Sequence, residues 1–63
     1  MTIGEKLREL RGAQTQAEVA KALHISRSAL QMYENDKRKP RDDTKIALAN
    51  YFGTTVSYLF FEQ

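Results

Sequence analysis

The chain of 63 residues contains no cysteine. Disulfide bridges and thiolate metal sites are therefore excluded as staples, and a chain without thiols suits the reducing cytoplasm. No apolar run approaches the ~18 residues a membrane-spanning helix needs, and the N-terminus lacks a signal-peptide pattern. Repeats, linkers and low-complexity tracts are missing as well. So is the equipment of an enzyme: there is no nucleophile–base pair, no glycine-rich phosphate loop and no cluster of metal ligands. The sole histidine, His24, has no candidate partner and reads as a helix-end residue. No catalytic residue, cofactor, metal or small-molecule ligand is expected. A single domain spanning 1–63 is expected, with a small core, because a domain this size buries only about 60% of its unfolded surface.

What is present is helical punctuation. Thr2-x-x-Glu5 and Thr15-x-x-Glu18 are capping boxes, in which hydroxyl and carboxylate each satisfy an orphan backbone N–H. Behind the first, Ile3, Leu7 and Leu10 form an i, i+4, i+7 stripe that ends at Gly12; behind the second come Val19, Ala20 and Leu23. Ser26 caps a third helix, stapled by Ile25, and Asn35-Asp36 breaks it. Pro40 delays the next helix, which Asp42 or Asp43 caps and which carries Leu48, Ala49 and Phe52. Gly53 closes that helix, and Thr54 or Thr55 opens a last short one with Val56, Leu59 and Phe60. The expectation is an all-α domain of five helices. Tyr33, Phe52 and Tyr58 read most simply as core aromatics.

The third helix is sorted into two faces. Wound at about 3.6 residues per turn, Ser26–Asn35 places Ala29, Leu30 and Tyr33 on one side. Arg27, Ser28, Gln31 and Asn35 fall on the other, with Met32 at the boundary. The apolar stripe has to be buried. The opposite stripe holds side chains that bond base edges, which suits a helix entering a DNA major groove. Net charge is only +2, yet Lys37, Arg38, Lys39 and Arg41 lie together with no acid among them. A charge run is usually a solvated face; beside a two-faced helix it becomes a basic flank for phosphates.

The words TQAEVAKAL, HISRSAL, YENDKRKP and LANYFGTTVSYLF, with the opening IGEKLRELR, resemble the Cro/repressor type of helix-turn-helix, the Xre-like, lambda-repressor-like family. The resemblance covers nearly the whole chain and implies a compact five-helix DNA-binding domain with its helix-turn-helix at about 15–35. It implies base contacts at Arg27, Ser28, Gln31 and Met32. It implies phosphate contacts at Gln16, Asn35, Lys37, Arg38, Lys39 and Arg41, and an Arg–Glu tie for which Arg11 and Glu34 are the candidates. Four positions depart from the family's pattern. The turn Gly12–Gln14 is short, His24 and Asp36 stand where glycine is common, and Lys45 occupies an apolar position that it fills by snorkelling or by reaching the DNA backbone.

Phe60 and Phe61 are adjacent, so one short helix cannot easily bury both, and the pair marks a surface for self-association. The expected partner is therefore double-stranded DNA, bound by a homodimer that DNA itself completes, with no membrane. The leading reading is a repressor on a pseudo-palindromic operator. The alternative is an antitoxin or anti-repressor-like module using the same scaffold against another protein.

Overall fold

Both threonine capping boxes form. In the computed structural model, which describes residues 1–61, the Thr2 hydroxyl accepts from the Glu5 amide at 3.1 Å, and Thr2 N–H donates to Glu5 Oε1 at 2.8 Å. These bonds from Thr2, its backbone N–H first, hold the Glu5 carboxyl below its ordinary pKa. They start α1 (Ile3–Arg11); Thr15 and Glu18 start α2 (Gln16–Ala22) in the same way. Ser26 Oγ accepts from Ala29 N at 3.0 Å and starts α3 (Arg27–Glu34). Then follow α4 (Asp42–Phe52) and α5 (Val56–Phe60), with no strand among the described residues. None of these helices is long and apolar enough to cross a membrane.

The start of α4 differs from the expected one. Arg41 is its N-cap and makes no side-chain capping bond, while Asp42 and Asp43 lie inside the first turn. There Asp43 Oδ1 accepts from Thr44 N at 2.8 Å, and both acids face the positive end of the helix dipole. The stops of α2, α3 and α4 share one geometry, whereas α1 ends with Gly12 N–H on the Arg8 carbonyl, four residues back. Ile25, Lys37 and Thr54 each return an N–H to the carbonyl five residues back, at Ala20 (3.0 Å), Met32 (2.9 Å) and Ala49 (2.9 Å). Such a closure needs a left-handed residue just before it. His24 (φ 57°), Asp36 (φ 59°) and Gly53 (φ 67°) supply it. The first two adopt a conformation that side chains disfavour, which explains why glycine is common there.

The core is one continuous body. Leu7, Tyr33, Leu48, Ala49, Leu59 and Phe60 form its larger part; Val19, Ala20 and Leu30 form the part beneath the helix-turn-helix. Leu23, Ile25 and Phe52 touch both. Two aromatic expectations need correction. Tyr58 is 39% exposed rather than a core residue, because its ring lies over Lys6 at the edge of α5. Phe60, expected in a dimer surface, is turned into the core and only Phe61 of the pair is out, at 72% exposure.

Two contacts set the helices at close range. Gly4, to which the sequence reading assigned no role, sits where an added Cβ would meet the Glu34 carbonyl oxygen. Its N–H donates to Asp36 Oδ1 at 2.8 Å, so the backbones of α1 and the end of α3 nearly touch. Lys6 is buried, donates from Nζ to the Tyr58 carbonyl at 2.7 Å, and lies 4.7 Å from the centre of that ring. It thus satisfies an orphan carbonyl of α5. Lys45 is half-buried, 5.3 Å from the Phe60 ring centre and 5.9 Å from that of Phe61, with its ammonium 3.8 Å from Asp42. It snorkels along the aromatics.

Candidate nucleic-acid interface

Helix α3 is held from inside. Leu30, Tyr33 and Glu34 are buried on its inner face, while Arg27, Ser28 and Gln31 are exposed on the outer one. Met32 is half-buried at the boundary. Among the described residues, the side chains of Arg27, Ser28 and Gln31 have no hydrogen-bond partner, so their donors and acceptors are available to a groove.

A single carboxylate anchors this arrangement. Glu34, 1% exposed, receives Arg11 Nε on Oε2 at 2.7 Å and Arg11 Nη2 on Oε1 at 3.1 Å. Gln16 Nε2 donates to the same Oε1 at 3.0 Å. One residue of α3 is thereby tied to the end of α1 and the start of α2. Arg11 Nη1 also donates to the Gln14 carbonyl at 2.7 Å, which closes the short turn. That turn is compact enough to keep Arg11 within reach. Tyr51 braces it from α4, its hydroxyl donating to Gln14 Oε1 at 2.7 Å.

Gln16 is half-buried and shares an open recess of about 420 Å³ with Arg11, Thr15, Ala17 and Arg27. Beyond α3, Asn35, Lys37, Arg38, Lys39 and Arg41 are exposed, and none of the four cations has a carboxylate partner among the described residues. Pro40 is buried between them and shares a recess with Ile3, Lys45 and Phe60. No group of His, Cys, Asp or Glu able to hold a metal ion occurs among the described residues.

Of the residues singled out from sequence, Gln16 and Arg27 line one recess with Arg11, whereas Lys39 lines another with Phe60 at the end of α5 and Phe61 just after it. What sequence reasoning missed is the bond from Gln16 to Glu34. Both residues had been singled out separately, but only the fold shows that the two reach the same carboxylate oxygen. Gly4, Lys6 and the Tyr51–Gln14 bond were missed for the same reason. Each joins positions more than thirty residues apart.

Residues 7–59 match the model of a family described as helix-turn-helix. The HTH-type transcriptional regulator ImmR of Bacillus subtilis (strain 168) is 38% identical over 61 residues, which is 94% of this chain and 48% of that protein. The chain therefore spans about half the length of that relative. In fold, the chain is similar to the P22 c2 repressor protein, solved in complex with synthetic operator 9T in the presence of Tl+. The TM-score is 0.94, at 23% identity, over 100% of this chain and 98% of that one. By the match over residues 7–59, with α2 and α3 packed across their tight turn, this chain belongs to the helix-turn-helix family.

Proposed function

We propose that the chain is a sequence-specific DNA-binding regulator of transcription in the cytoplasm. It acts as a repressor that occupies a pseudo-palindromic operator as a dimer. The observation that carries this reading is the division of α3: an inner face locked by Leu30, Tyr33 and Glu34, and an outer face whose side chains are unspent. Arg27 bonds guanine O6 and N7 with its fork, Gln31 bonds adenine N6 and N7, Ser28 takes either, and Met32 meets a thymine methyl from the edge of the core. Gln16, Asn35, Lys37, Arg38, Lys39 and Arg41 hold the phosphates on either side and set the register. The dimer surface is Phe61, with Phe60 supporting it from the core. It sets two copies of α3 on successive major-groove turns, about 34 Å apart. Similarity to a transcriptional regulator, and in fold to a repressor solved on an operator, favours DNA over a protein target.

Selection of bound duplexes from a random pool tests the proposal. Enrichment of an inverted repeat with half-sites about one helical turn apart is the expected result. Retention of all duplexes alike, with no enriched sequence, would overturn it.

A further inference from the structure

A carboxylate only accepts hydrogen bonds, so the Gln16 atom facing Glu34 has to be Nε2 and not Oε1. A glutamine on an open surface turns either end of its amide outward. Here the choice is made by a carboxylate that is 1% exposed and already held by Arg11 at 2.7 Å. The amide is planar and its two N–H bonds diverge. With one directed at Oε1, the other leaves away from it and has no partner among the described residues. The recess that Gln16 lines also contains Arg11 and Arg27, both pure donors, while the Thr15 hydroxyl is engaged with Glu18 at 3.2 Å. Such a wall suits an oxygen-bearing anion.

We infer that Glu34 is a positioning residue for DNA binding: it sets the flip of the Gln16 amide so that its second N–H meets a backbone phosphate. This rests on the DNA-binding reading above. Presetting the amide spares the ordering that a free glutamine side chain would undergo on binding. The contact is dipolar, so it adds affinity without releasing a counterion, unlike those of Lys37 or Arg38.

The test has two arms on the full chain. In the free protein, NMR of the Gln16 side-chain NH2 should show one hydrogen shifted downfield and slowed in exchange. Glu34→Gln should abolish that asymmetry. Against operator duplexes carrying one neutral methylphosphonate at a time, the wild type should lose about threefold to tenfold at one position. Gln16→Ala should be insensitive there, and its salt dependence should keep its slope. Glu34→Gln should be insensitive at the same position while still sensing the phosphates met by Lys37 and Arg38. Should Glu34→Gln fail to fold, Gln16→Met leaves the Arg11–Glu34 pair intact and decides the DNA arm. An averaged amide in the free protein overturns the inference, and so does a Gln16→Ala protein as sensitive as wild type at every position. Failure to bind any duplex would defeat the DNA reading instead, and the NMR arm would still decide the orientation.

Discussion

Arg27 and Arg38 are both exposed arginines, but one opens α3 and the other follows it, and the roles proposed for them divide accordingly. Arg27→Ala should cost about 1–3 kcal/mol and relax preference at one base position. Arg38→Ala should weaken all sequences alike and flatten the salt dependence by roughly one unit. Titrations of matched and mismatched duplexes at several salt concentrations separate the two; equal, sequence-independent losses would merge the roles. Glu34 belongs to another class. Leaving one member of a buried pair alone costs about 3–5 kcal/mol, against a total of roughly 3–9 kcal/mol for a domain of this length. Arg11→Met should therefore remove about a third or more of that stability, and adding Glu34→Gln should recover part of the loss. A double-mutant cycle by urea unfolding measures the coupling, and a value near zero would return both residues to the surface.

At the scale of elements, most helix ends were legible because they rest on local chemistry, a hydroxyl and a carboxylate three residues apart or a glycine after the last turn. Both capping boxes needed only residues within one turn. The α4 start was misplaced because Asp42 and Asp43 suit both the cap and the first turn, and pattern alone does not choose. The left-handed stops at His24 and Asp36 supply a stability prediction. His24→Gly should raise stability by about 0.5–1 kcal/mol, since glycine enters that conformation without strain. Asp36→Gly should bring no gain, because it also removes the acceptor that Gly4 N–H reaches at 2.8 Å. Thermal unfolding of the two variants checks the contrast, and an equal gain in both would mean that the Gly4 bond contributes nothing.

For the whole molecule, the two-faced α3 and the basic flank were readable because they lie within one stretch of chain. The ties of Gly4, Lys6 and Gln16 were not, since each depends on how helices distant in sequence come to adjoin. The outward turn of Phe61 was half legible: adjacency implied that one phenylalanine would be exposed, and the core decided which. Phe61→Asp should lower affinity for a two-half-site operator by about tenfold, or ~1.4 kcal/mol. It should leave thermal unfolding and single half-site binding nearly unchanged. Sedimentation of the complex decides the matter, because one chain per full operator would end the dimer proposal.

The junction at Glu34 also shapes how this chain can evolve. Arg27, Ser28 and Gln31 share no side-chain bond with the framework among the described residues, so, under the proposed function, substitutions there redirect operator preference while the protein stays abundant. Arg11, Gln16 and Glu34 have no such independence, because the bonds that would orient the proposed reading surface are the bonds that join the helices. On that proposed reading, drift in target choice is channelled onto the outer face of α3. Lineages that change the junction meet folding and recognition as one trait.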